Sequence, residues 1–183
     1  MTPTRTLSAL VTATLLATGA LAANPNVGGA PMFVEKNIVE NAVNSADHTT
    51  LVAAVKAAGL VETLQGPGPF TVFAPVNAAF EALPDGTVET LLKPENKDLL
   101  VKVLTAHVVP GDWSAATIAA KAKAAPDGFF HFNAVSGDAL SAQVRGGNVY
   151  IYDESGNAAR VTIADVKQSN GVIHVVDSVL VPK

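Results

Sequence analysis

The chain has no cysteine in its 183 residues. Neither a disulfide nor a thiolate metal site can staple it, so buried apolar surface alone must hold whatever it folds into. Thiol chemistry is excluded on the same ground. That surface is of one kind: 49% of residues are apolar, Ala and Val dominate them, and aromatics are only 5%. The expected core is therefore small and β-branched. So few rings also disfavour recognition by stacking on bases or sugars. The net charge of −4 argues against a nucleic-acid binder, which would show a basic face.

Residues 1–22 read as a signal peptide. Arg5 is the only charge, a weakly apolar stretch runs from Leu7 to Leu21, and Ala20-Leu21-Ala22 fits a small-x-small cleavage site. The stretch is shorter than the roughly 20 apolar residues that span a bilayer, and Thr and Ser dilute it. Cleavage after Ala22 removes Arg5 and leaves the mature chain one unit more acidic, with no membrane span. There is no N-glycosylation sequon. Export without disulfides or glycan sites suits a bacterial periplasmic, cell-surface or secreted protein. Residues 23–33 hold two Pro and two Gly and read as a flexible arm. Residues 34–183 read as one domain, with no repeat and no linker.

The first half of that domain is helical in pattern. Asn37 to Val43 is short and amphipathic. Asp47 is placed to cap a helix whose Leu51, Val55 and Ala58 share one face, and Gly59 ends it. Gly66-Pro67-Gly68-Pro69 is a break. Phe70-Thr71-Val72-Phe73 reads as a strand stopped by Pro75, and Asn77 as the cap of a helix over 78–83. Thr87–Leu92 is a short helix, and Pro94 suits the first turn of another that carries Leu99, Leu100, Val103 and Leu104. His107-Val108-Val109 reads as a strand. Ala- and Lys-rich 114–125 fits either a helix or a loose loop. The second half is β. Leu140, Ala142 and Val144 alternate, Gly146-Gly147 marks a hairpin, and Val149 and Ile151 alternate again. Asp153–Asn157 is a turn, Val161 and Ile163 form a short strand, and Val172–Val176 is apolar on both faces and so central. The class is α+β.

Three segments together resemble the fasciclin (FAS1) domain family: Gly68-Pro69-Phe70-Thr71-Val72-Phe73-Ala74-Pro75 with Asn77 and Phe80; Leu104-x-x-His107-Val108-Val109 with Gly111; and Asn170-Gly171-Val172-Ile173-His174-Val175-Val176-Asp177. Their order and spacing match a whole domain. The resemblance implies two β-sheets packed as a wedge with short helices along one side, and adhesion at a cell surface or matrix. It also implies partner contacts at Asp165-Val166, where animal members carry an Asp-Ile pair, and at His107, where they carry a Tyr-His segment whose tyrosine is absent here. Val76 departs from a common Thr or Ser and removes a hydroxyl able to assist the following cap.

Read as chemistry, Thr71, Phe73, Pro75, Asn77 and Phe80 define strand, stop, cap and packing. Asn170 and Gly171 set a hairpin, and His174 is a core histidine with one hydrogen-bond partner. His107 either packs under the sheet or binds at its edge. The other histidines, His48 and His131, complete no metal-ligand spacing. There is no Gly-x-Ser-x-Gly elbow, and the carboxylates are scattered. No catalytic residue, metal site or cofactor is expected. The expected function is a secreted or surface binding module for a cell-surface or matrix protein or glycan. The alternative is a carrier holding a small apolar ligand in a groove between sheet and helices.

Overall fold

A computed structural model describes residues 24–182; the leader assigned to 1–22 lies outside the described residues. From residue 26 on, the stretch read as a flexible arm is instead built into the domain. Asn26–Val27 (β1) and Ala30–Pro31 (β2) form a small antiparallel hairpin, and Val27 and Met32 are buried. Its two apolar side chains outweigh its Pro and Gly content, because they find a core to enter.

Short helices follow. Ile38–Ala42 (α1) starts at a capping box: Asn37 Oδ1 accepts the Glu40 N–H and the Glu40 carboxylate accepts the Asn37 N–H. After a 3₁₀ turn over Ala46–His48 comes Thr49–Ala58 (α2), which Gly59 ends in the left-handed conformation at φ +74°. Asp47 sits in the 3₁₀ turn and does not cap α2. Val61–Gln65 (α3) was not anticipated; it leads into strand Phe70–Pro75 (β3).

Asn77–Glu81 (α4) begins one residue earlier than expected, so Val76 is its N-cap and makes no side-chain cap bond. That frees Asn77 for another helix. Its Oδ1 accepts the Thr50 N–H at 3.0 Å and the Thr49 hydroxyl at 3.2 Å, while its Nδ2 donates to the Ala46 carbonyl at 2.9 Å. Asn77 therefore caps α2 from 27 residues away. Asn77→Ala is expected to cost about 1–2 kcal/mol, the upper range for a lost cap, read as a fall in urea midpoint with unchanged m-value.

Thr87–Leu91 (α5) and Lys97–Ala106 (α6) precede a short edge strand, Val108–Pro110 (β4). Residues 114–125 resolve as a helix, Ala115–Ala124 (α7), with the Ser114 hydroxyl accepting the Thr117 N–H. The rest is a meander: Phe130–Asn133 (β5), Ala139–Arg145 (β6), Asn148–Tyr152 (β7), Ala158–Gln168 (β8) and Gly171–Val176 (β9).

The strands join in the order β4-β3-β9-β8-β7-β6-β5. The two sheets implied by the family resemblance are continuous through β8, which pairs with β7 over residues 158–160 and with β9 from Val161 onward. β3 and β9 run parallel in the middle, Phe70 opposite Gly171. Alternation sends Val72, Ala74, Ile173 and Val175 into a core shared with the helices. Phe73 and Val176 enter a second core with Ile118, Leu140, Ile151 and Leu180. The mixed α+β architecture is thus two cores on opposite faces of one central strand pair.

Candidate functional site

The signature residues converge on the ends of β3 and β9. Thr71 is wholly buried; its hydroxyl donates to the Gly111 carbonyl at 2.7 Å and accepts the Trp113 N–H at 2.9 Å. It fixes the turn leading from β4 to α7. Asn170 acts at three places at once. Its Oδ1 accepts the Ile38 N–H at the start of α1, its Nδ2 donates to the Leu64 and Gly66 carbonyls after α3, and its own carbonyl accepts the Phe70 N–H. Beside it Asn41, also wholly buried, brackets Phe33 through both backbone groups and donates to Gln168. The Asn-Gly pair thus ties the N-terminal helices to the C-terminal strand, beyond the hairpin role its sequence suggests.

His174 lies across from Phe73 with ring centroids 5.7 Å apart. Its Nδ1 accepts the Asp165 N–H at 3.2 Å, so the proton sits on Nε2 and is donated to the Trp113 carbonyl at 2.7 Å. The imidazole is neutral, and burial holds its pKa below the usual histidine value. His107 uses the other tautomer. Leu180 N–H donates to Nε2 at 2.9 Å and Nδ1–H donates to the Val103 carbonyl at 2.8 Å. Desolvation lowers its pKa to about 4. His48 is likewise lowered, first by burial; its Nδ1 meets the Ser45 hydroxyl at 2.8 Å.

Of the three residues expected to meet a partner, His107 and Val166 are inside the fold, Val166 with no exposed surface at all. Val166 enters the helical core as part of β8, and the buried His107 joins α6 to the C-terminal segment. Asp165 is at the surface, at φ +58°. Its carboxylate accepts the Ala115 N–H at 2.9 Å, capping α7 from β8. Asp165→Ala is expected to cost about 1 kcal/mol through that cap, whereas Asp165→Asn, which tolerates the same backbone, costs less; thermal melts of the two variants read the difference.

The polar turn 153–157 is also more than a solvated tip. The Asp153 carboxylate is buried, accepting from Ser155 N, from both nitrogens of Asn157 and from Val181 N, so it pins the C-terminal segment.

The groove expected for an apolar ligand is a narrow, partly open cavity of about 50 Å³ between the helices and β3, β4 and β9, lined by Val39, Leu51, Val55, Leu104 and Ile173 among others. A dry apolar cavity near 150 Å³ is the scale that accepts benzene, so a pigment-sized ligand would require the helices to part. Larger depressions, about 410 Å³ beside Asn170 and about 580 Å³ between α4 and the 178–181 segment, are open to solvent.

Ring and polar side chains instead gather on the outer face of the meander. Strand pairing sets Ser141 against Tyr152, Gln143 against Tyr150, and Tyr150 against Arg160, while Leu140, Ala142, Ile151 and Ala159 of the same strands are buried beneath. Phe129 packs against His131 at 6.2 Å and edge-on to Tyr152 at 5.6 Å. The sequence signal was there, in the alternation through Asn-Val-Tyr-Ile-Tyr, but that alternation locates only the apolar side. The scarcity of rings is an average over the chain, and folding places both of its tyrosines on this one face.

Among the described residues no group of acidic or histidine side chains could hold a metal ion, and no helix is long and apolar enough to cross a membrane. Compared with known proteins, the chain matches a solved FAS1 domain pair from the insect cell adhesion molecule fasciclin I with TM-score 0.70 at 15% identity, over 79% of this chain and 50% of that one. The likeness establishes the fold, and this chain spans half the length of the pair. Protein sll1483 of Synechocystis sp. is 53% identical over 145 residues, covering 79% of this chain and 73% of its own length. Immunogenic protein MPB70 of Mycobacterium bovis is 32% identical over 167 residues, covering 88% and 77%. The pig transforming growth factor-beta-induced protein ig-h3 is 36% identical over 132 residues, 72% of this chain and 17% of that much longer one. The fasciclin domain model matches residues 46–182, which take in β3, β9 and every signature residue whose bonds hold them together, and the chain belongs to the fasciclin domain family.

Proposed function

We propose that the chain is an exported, surface-acting FAS1 module that binds a cell-surface or matrix partner and does no chemistry of its own. The observation that carries this reading is where the polar side chains of the signature segments are spent. Thr71, His107, Asn170 and His174 each bond to the protein's own backbone. A general base needs a free acceptor beside a cleft, and these imidazoles are neutral, buried and bonded at both nitrogens. Recognition is left to the outer surface. The reading is supported by a fold shared with an insect cell adhesion molecule and by a relative described as a cell surface glycolipoprotein, MPB83 of Mycobacterium bovis, 32% identical over 171 residues.

The test is attachment. Beads coated with the purified protein are expected to retain cells of the producing organism or their extracellular matrix above beads coated with an unrelated acidic protein. Equal retention would overturn the reading. Asp165→Ala is expected to leave retention unchanged, because its carboxylate serves α7.

A further inference from the structure

We propose that the outer face of the β5–β8 meander docks an acidic, uronate-bearing polysaccharide, stacking sugar rings on Phe129, Tyr150 and Tyr152 and pairing a sugar carboxylate with Arg145. The proposal rests on the surface-binding reading above and names the face and the partner class.

The face is uncovered among the described residues. α7, the helix that packs on these strands, lies on their other side, where Ile118 meets the core with Leu140 and Ile151. It is open rather than cleft, which suits an extended polymer. The three rings are half-buried, and Phe129 and Tyr152 pack edge to face, so they are presented with little freedom to lose on binding. Aromatic faces take the apolar C–H side of a sugar, and planar amides and guanidinium groups take its oxygens.

Charge selects within sugars. Arg160 is paired with Asp177 at 3.2 Å, and His131 with Asp127 at 2.8 Å. Arg145 is different: its guanidinium donates to the Tyr152 hydroxyl at 3.2 Å, which donates in turn to Gln143 Oε1 at 3.3 Å. It is the cation of this face that has a phenol rather than a carboxylate beside it. A guanidinium offers a two-pronged fit to a carboxylate. The large aliphatic side chains exposed on this domain, Val34, Val43, Leu92, Leu99, Val135 and Val181, all lie off strands β5–β8, so the face offers rings, amides and a guanidinium, the groups that meet a sugar's C–H face and its oxygens.

The test is native gel electrophoresis of the full chain through polygalacturonate and, in parallel, through its methyl ester, which keeps the rings and removes the charge. Polygalacturonate is expected to retard the wild type. Retardation should weaken at least tenfold in Arg145→Gln and in Tyr150→Ala, persist in Tyr150→Phe, and be unchanged in Lys93→Gln on the helical side. The methyl ester should retard weakly. Absence of retardation, equal retardation of Arg145→Gln, or equal retardation by the ester each overturns the proposal. Arg145 is exposed at a hairpin end, so its variant decides the matter even if Tyr150→Ala does not fold. Bead attachment separates the two readings. Attachment that persists in Arg145→Gln while polygalacturonate fails to bind overturns the face and keeps the module. Attachment lost in that variant without polygalacturonate binding means that a protein docks there, which overturns the glycan. Polygalacturonate binding without any attachment overturns the cell-surface role alone.

Discussion

Gly171→Ala is expected to cost about 3 kcal/mol or more, a large part of the stability of an ordinary domain. Gly171 faces Phe70 at the first rung of the parallel β3–β9 ladder. A Cβ there would stand 2.0 Å from the Phe70 carbonyl oxygen and 2.9 Å from its nitrogen. Nothing flexible can yield, because the obstacle is backbone. Phe70 N–H is itself donated to the Asn170 carbonyl at 3.0 Å, one residue from the new methyl. A Cβ on Gly68 would meet that same Asn170 carbonyl at 1.9 Å, so the two strands approach on glycine from both sides. Moving them apart would loosen the three attachments of Asn170 and, with them, the starts of α1 and β3. Gly147→Ala is the comparison. Its Cβ meets nothing within 4 Å, so it should show only the left-handed backbone cost of about 1–2 kcal/mol. Urea denaturation of both variants measures the difference, and similar midpoints would remove the close-approach account.

Acidification is expected to destabilise the domain through His107 before most carboxylates titrate. The folded pKa of about 4 lies below the ordinary value of 6.5. The unfolded chain therefore binds the proton more readily, and stability falls as pH falls. The contribution is whole above pH 6.5 and is lost progressively down to about pH 4. Between pH 6.5 and 5 this amounts to about 2 kcal/mol, at about 1.4 kcal/mol per pH unit. His48 and His174 are shifted in the same direction by burial and steepen the slope. His107→Gln should be less stable than wild type at neutral pH, since Leu180 N–H and the Val103 carbonyl lose a fitted partner, yet flatter between pH 7 and 5. Parallel acid limbs in wild type and variant would show that His107 does not drive the loss.

The sequence is most readable where a local rule has one outcome. Gly59 ends α2, Gly146-Gly147 turns β6 into β7, and His174 sits in a strand covered on both sides, all as the residues suggest. Three segments are less readable for physical reasons. Phe130–Asn133 is too short for its alternation to stand out, and only pairing with β6 makes it a strand. β8 reads as a fragment around Val161 and Ile163 because register shifts near Ile163 and the positive φ of Asp165 break its period of two. The cap of α2 comes from Asn77, and no pattern local to α2 announces a cap 27 residues away. The expected partner contacts fail at Val166 and His107 for a related reason. Their place in the chain says which strand end or helix end they occupy, and burial is decided by what packs there afterwards.

The central strand pair has no face of its own toward solvent. One side of β3 and β9 belongs to the helices, the other to the meander, and both cores must separate before their backbone is bare. Either half can therefore breathe without breaching the wall between them. Amide protons of Val72–Ala74 and Ile173–Val175 should exchange only when the whole domain opens, which makes this pair the clock for its lifetime. A load applied at the meander face would reach the helices through that wall and, beside it, through the Lys102–Asp138 ion pair that joins α6 to the β5–β6 connection.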